Sequence, residues 1–272
     1  MGGVLVKFFL IILYFSILIA EPFSNYKEDK QYYPDKIANN TLFIDDLLNN
    51  SVWGNVTPIT DMIQAEPIYG SNPSKQTEIK IVYDDNSLYI YAYLFDDPKN
   101  IKKQNASYDD WYEGFENNSD YFVIEIDSNH DHHQSNCFAI NSSGVKADYI
   151  MYNDGVVDDD WDEASWDAKT SIVEDGWIIE YEIPFKILKY HNNSSMGINF
   201  IRFSHSDKEL HYWVLLPIEI DGTVSHYGHI NNFDMLVGVL LSDIYHPMSG
   251  ELCCWPGSHH KLADYFTEKN GQ

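Results

Sequence analysis

Thr77-Glu78-Ile79-Lys80-Ile81-Val82-Tyr83, then Asp84-Asp85-Asn86-Ser87, then Leu88-Tyr89-Ile90-Tyr91-Ala92-Tyr93-Leu94-Phe95, is the stretch whose reading decides the fold. Two runs rich in β-branched and aromatic residues flank four turn-forming residues, the pattern of a β-hairpin. In the first run Ile79, Ile81 and Tyr83 alternate with Lys80 and Val82. In the second, Leu88, Ile90, Ala92 and Leu94 point one way and Tyr89, Tyr91, Tyr93 and Phe95 the other. Both faces of that strand are apolar or aromatic, which predicts a central position between two layers.

Outward from the hairpin the same period of two recurs. Residues 121–127 place Phe122, Ile124 and Ile126 on one face and Glu125 on the other. Residues 138–141 and 145–152 flank Ser142-Ser143-Gly144, a second hairpin signal. Along 177–183, Trp177, Ile179, Tyr181 and Ile183 point inward while Glu180 and Glu182 point out. Pro184 then ends the strand and opens a single helical turn over 185–189. Strands at 198–203 and 211–216 complete the set, and helical spacing occurs only at 59–65 and 261–269. Many short strands with few short helices predict an all-β chain folded as an antiparallel β-sandwich.

The chain has 272 residues, enough for one large domain or two small ones. Its 42 acidic and 17 basic side chains give a formal charge of −25. Such a surface repels nucleic acid and anionic lipid and attracts cations, calcium first among them for an exported protein. Lys7 precedes an apolar run from Phe8 to Ala20, after which Glu21-Pro22 turns polar. That reads as a signal peptide over 1–20, too short to span a bilayer, and predicts a secreted, periplasmic or cell-surface protein without a transmembrane domain after cleavage. Residues 21–41 read as a flexible lead-in, 42–236 as the sandwich and 237–272 as a separate tail. The three cysteines, Cys137, Cys253 and Cys254, make no disulfide framework, so the domain rests on its core.

Several phrases together resemble the family 9 carbohydrate-binding module and its DOMON-like, jelly-roll-like β-sandwich relatives. Leu42-Phe43-Ile44-Asp45-Asp46 with Trp53 resembles the opening of that family, with Asp46 where a glycine is usual. The 77–90 hairpin resembles its central hairpin, and Ser119-Asp120-Tyr121-Phe122-Val123-Ile124-Glu125-Ile126-Asp127 its next strand. Asp175-Gly176-Trp177-Ile178-Ile179-Glu180, Ile183-Pro184-Phe185 and Gly197-Ile198-Asn199-Phe200 close the series. The resemblance covers about 42–236. It implies a non-catalytic module that binds a saccharide or polysaccharide, as an accessory to polysaccharide breakdown.

Sugar recognition needs flat aromatic faces for the ring C–H groups and amides or carboxylates for the hydroxyls. Trp111, Trp161, Trp166 and Trp213 lie in or beside loops, where stacking platforms belong, whereas Trp53 and Trp177 sit in apolar patterns and read as core. The resemblance implies a two-tryptophan clamp, for which Trp111 and Trp213 stand nearest, and polar contacts from Asp120 and Asn141. It also implies an arginine where Ala139 stands and a carboxylate where Val123 stands. Those departures leave a second reading open: an interaction sandwich without a sugar site.

Asp127-Ser128-Asn129-His130-Asp131-His132-His133 offers oxygen donors at alternate positions, Asp127, Asn129 and Asp131, which suit calcium. A solvated polar loop fits the same residues, and zinc on the histidines is a further alternative. Glu180 and Glu182, two apart on a strand, stand ~6.5–7 Å from each other, near the separations of glycosidase carboxylate pairs. A solvated strand face is the expected reading of that pair, and no Gly-x-Ser-x-Gly, His-Glu-x-x-His or phosphate loop occurs. Gly250-Glu251-Leu252-Cys253-Cys254-Trp255-Pro256-Gly257-Ser258-His259-His260 resembles the distal segment of phytanoyl-CoA-type dioxygenases. That resemblance would make His259 an iron ligand and the chain a fragment of a multidomain protein, yet so short a segment cannot build the oxygenase barrel.

Overall fold

The computed structural model describes residues 30–44, 51–116, 118–159, 161, 165–188, 195–218 and 222–231. All lie in the compact unit Met1–Phe233; the second unit, Asp234–Gln272, is outside the described residues, as is the expected signal peptide. Among the described residues fourteen strands carry the fold: β1 (Gln31–Tyr32), β2 (Asp35–Lys36), β3 (Ile63–Glu66), β4 (Thr77–Tyr83), β5 (Ser87–Phe95), β6 (Tyr121–Asp127), β7 (Ser135–Asn141), β8 (Lys146–Tyr152), β9 (Val156–Asp158), β10 (Asp167–Val173), β11 (Gly176–Pro184), β12 (Ser195–Ser204), β13 (Glu209–Tyr212) and β14 (Gly228–Asn231). One helical turn, α1 (Trp111–Gly114), and two 3-10 turns, Ser51–Asn55 and Val224–His226, accompany them.

A larger sheet runs β1-β14-β12-β6-β7-β8-β9, with β13 on the far half of the β12 edge and β3 beyond it. A smaller sheet runs β10-β11-β5-β4-β2. All the long pairings are antiparallel, and the sheets stack as a β-sandwich. The β4–β5 hairpin closes as its sequence predicts: the Asp84 carboxylate accepts from the amides of Asn86 (2.7 Å) and Ser87 (2.9 Å). Strand β5 lies between β4 and β11. Its Leu88, Ile90, Ala92 and Leu94 enter the main core, while Tyr89 and Tyr91 pack against Leu42, Trp53 and Val56 on the opposite side. Two apolar faces therefore meet two apolar layers, the outcome that the 88–95 pattern predicts.

The main core takes Phe122, Ile124 and Ile126 from β6, Phe138 and Ile140 from β7, and Ile198 and Phe200 from β12, against Ile79, Ile90, Trp177, Ile179 and Tyr181 of the smaller sheet. A fully buried cation bridges the layers. Arg202 of β12 is fully buried and donates to the carbonyls of Gln76 (2.7 Å) and Phe95 (2.8 Å) and to the Thr77 hydroxyl (2.9 Å). Asp96 stands 3.9 Å away as its buried counter-charge.

Three local expectations change. Within the stretch read as a flexible lead-in, β1 pairs in parallel with β14 and β2 in parallel with β4, so 31–36 passes from one sheet to the other. Within 59–65, read as helical, Ile59 bridges Ile79 and β3 pairs with β13. Open sheet edges there supply the backbone partners, and tertiary pairing overrides a spacing that fits either structure. Glu180, expected to face solvent, is buried: Trp53 Nε1 donates to its Oε1 at 2.6 Å. Leu42, Val52, Trp53 and Val56 cover the face that the alternation alone marks as open. The helical candidate 261–269 lies outside the described residues.

Candidate functional site

Because successive side chains on a strand point to opposite faces, the larger sheet has an inner face in the core and an outer face away from the second sheet. Phe122, Ile124, Phe138 and Phe200 are inner; Val123, Ala139, Ala147 and Ile201 are outer. On the outer face a chain of aromatic rings crosses the strands. Tyr149 meets Trp111 (5.3 Å between centroids), Trp111 meets Phe115 (4.6 Å), Phe115 meets Tyr121 (5.8 Å), and Tyr121 stacks on Phe203 (5.2 Å). Tyr212 and Leu210 border the same cluster. Trp111, Tyr121, Tyr149 and Tyr212 are half-buried, and Tyr112 beside them is exposed, so the ridge keeps aromatic surface in solvent.

Asn141 and Asp120 set the local backbone beneath that ridge. Asn141 is fully buried; its Nδ2 donates to the carbonyls of Gln104 (2.8 Å) and Gly114 (2.7 Å), the latter at the end of α1. Its Oδ1 accepts from the amides of Ser143 (2.9 Å) and Val145 (3.0 Å), closing the β7–β8 turn in which Gly144 has φ +85°. Asp120 is also fully buried and accepts from the amides of Lys102 (2.7 Å) and His205 (3.2 Å). Burial raises its carboxyl to about 6. Asn141 thus positions the turn that carries Trp111 at one end of the outer face, whereas Asp120, in phase with Phe122, lies on the inner side near Arg202 and Asp96 and holds the Lys102 and His205 backbone.

Trp213 does not join them. Only 2% exposed, it packs on Phe200 (5.7 Å) in the main core and donates Nε1 to Asp61 Oδ1 at 3.0 Å. A Cβ at Gly228 would lie 2.7 Å from Trp213 Cζ3, so the ring is enclosed on that side as well. The solvent-facing position expected of Trp213 is taken instead by its neighbour Tyr212. Period two alone cannot say which of adjacent aromatics faces the core. Trp166 is likewise enclosed, stacked on Tyr181 with Nε1 donating to Asp148 Oδ2 (2.7 Å). Trp161 remains half-buried.

A second polar cluster lies deeper on the outer face. Glu125 is held by two phenols, Tyr149 donating to Oε1 and Tyr227 to Oε2, each at 2.8 Å. Burial pushes this carboxyl up to about 7, and the two phenol hydrogen bonds oppose the rise. The turn Val224–His226 brings Tyr227 over it, itself held by Asp154, whose Oδ1 accepts from the amides of Thr223 (3.0 Å) and Ser225 (2.8 Å).

The proposed calcium donors sit at the other end of β6. Asp127 accepts from the amides of Asp131 (3.2 Å) and His132 (2.8 Å), and Asp131 Oδ1 from those of His133 (2.8 Å) and Gln134 (3.1 Å). The two carboxylates thereby cap their own loop. The structure adds His229 of β14, whose Nδ1 is 3.0 Å from His130 Nε2. Among the described residues no group of three or more His, Cys, Asp or Glu is arranged to hold a metal ion.

A two-layer, all-β sandwich with a half-exposed aromatic ridge has the architecture of a carbohydrate-binding module. The chain belongs to the carbohydrate family 9 binding domain-like family, whose profile matches residues 44–214. It is similar in structure to a family 9 module from Caldicellulosiruptor kristjanssonii in complex with glucose (TM-score 0.54, 18% identity, 77% of this chain and 99% of that one). A family 9 module from the same organism in complex with cellotriose gives TM-score 0.50 at 19% identity, over 78% of this chain and 100% of that one. No curated protein matches the chain.

Proposed function

We propose that this chain is an exported, non-catalytic module that binds saccharides through the aromatic ridge on the outer face of its larger sheet, and that it serves as an accessory to polysaccharide breakdown. The observation that carries the reading is the run of contacting rings from Tyr149 through Trp111 to Phe203, with half-buried phenols whose faces can meet sugar C–H groups. Family membership and the sugars bound by the two Caldicellulosiruptor modules support it. The apolar run from Phe8 to Ala20 supports export.

Val123 and Ala139 make the floor of the ridge apolar, and Asp120 and Asn141 direct their polar atoms to backbone groups. Affinity on this surface comes from stacking more than from charged contacts. The same features favour a second reading, an interaction face for another protein. A glycan array probed with the full mature chain separates them. Retention of neutral β-linked glycans supports saccharide binding; an array without any retained glycan refutes it.

A further inference from the structure

Strand β7 carries one polar residue in an inward position. Asn136 shares the phase of Phe138 and Ile140 and lies in register between Ile126 of β6 and Ile150 of β8. It is 8% exposed. Its side-chain amide makes no hydrogen bond among the described residues and is not sealed from solvent, so its donor and acceptor are open to the depression. The amide lines a depression between the β6–β7 loop and the segment after β11, which encloses about 450 Å³ counting the solvent at its mouth. Ile150, Ile187 and Leu188 give it an apolar floor, Trp161 an aromatic wall and Gln134 a second primary amide.

The Trp161 indole is anchored edge-on against Phe138, 6.1 Å between centroids, and is half-buried. Every described residue that lines the depression is uncharged, in a chain whose formal charge is −25. The described lining offers no charged group to an anion or a cation. An indole beside aliphatic groups, rimmed by primary amides, suits a ligand with an apolar face and a hydroxyl edge. We infer that the Asn136–Trp161 depression is a second saccharide subsite, taking one neutral sugar ring, separate from the Trp111 ridge. Asn136 is inner where Val123, Ala139 and Trp111 belong to the outer face, and five residues of β7 (~17 Å) separate it from Asn141. The inference rests on the saccharide-binding reading above.

The test is calorimetric titration of the full mature chain with glucose and with cellotriose. It compares wild type, Asn136→Ala, Trp161→Ala, Trp161→Phe, Trp111→Ala and the Trp111→Ala/Trp161→Ala double variant, with melting curves confirming that each is folded. Expected results are two sites in wild type, one site in each of Trp111→Ala, Trp161→Ala and Asn136→Ala, and none in the double variant. Trp161→Phe restores part of the second site. Isotherms of Asn136→Ala and Trp161→Ala that superimpose on wild type overturn the subsite while leaving saccharide binding intact. A wild type that binds neither sugar, with an empty glycan array, overturns both.

Discussion

Trp111 and Trp213 lie on opposite faces of the larger sheet: the first joins Phe115 and Tyr149 outside it, the second packs on Phe200 within the core. The two indoles therefore do different jobs. One is half-buried at the surface, and the other fills the space between layers and ties Asp61 to the residue that follows β13.

Replacing them with alanine distinguishes those jobs. Trp213→Ala removes a buried ring and leaves a cavity, for an expected loss of ~3–5 kcal/mol in denaturant unfolding. Trp111→Ala, at a half-buried position, costs about 1–2 kcal/mol and acts on binding instead. Equal destabilisation by both would contradict the assignment of faces.

Glu125 gives stability a defined pH dependence. Its folded value, about 7, lies above its ordinary 4.5. The folded chain holds a proton there that the unfolded chain releases. This contribution is full below about pH 4.5 and is lost as pH rises through 7, on the order of 3 kcal/mol. Glu125→Gln stays neutral, so its stability relative to wild type rises between those limits. A constant difference between the two across pH 4.5–7 would remove the argument.

The fold was largely legible in the sequence because period two survives wherever one face is buried. The apolar phase read for β4, β5, β6 and β11 does face the main core, although β6 and β11 are buried on both faces. What alternation omits is the identity of the partner across each face. Glu180 reads as solvated until the layer bearing Trp53 is placed over it, and Tyr212 and Trp213 exchange roles for the same reason. Asn136 is hidden because Ser135-Asn136 looks like loop, although the strand begins there. In the β4–β5 and β7–β8 turns, Asp84 and Asn141 declare themselves through local hydrogen bonding.

The Trp53–Glu180 bond predicts a specific cost. Trp53→Phe keeps the ring but removes a donor from a buried carboxylate, with an expected loss of ~1–3 kcal/mol. Adding Glu180→Gln recovers part of it, since a neutral amide is cheaper to bury than a charge. A thermal-melting double-mutant cycle reads the coupling; strictly additive losses would mean that the bond contributes nothing.

Arg202 closes the sandwich at the end where Gln76, Thr77 and Phe95 converge. Arg202→Ala strips the Gln76 and Phe95 carbonyls and the Thr77 hydroxyl of their buried donor, leaves Asp96 with Lys75 alone (2.6 Å), and is expected to cost ~3–5 kcal/mol. Equilibrium unfolding checks this, and a loss under about 1 kcal/mol would show that water replaces the guanidinium.

The central claim is that the outer aromatic ridge holds the sugar. Its most direct test is affinity electrophoresis of wild type, Trp111→Ala and Tyr212→Ala in gels containing the glycan best retained on the array. The account predicts retardation of wild type and at least a tenfold loss of affinity in Trp111→Ala, with Tyr212→Ala intermediate and all three folded. Unchanged retardation of folded Trp111→Ala would contradict it.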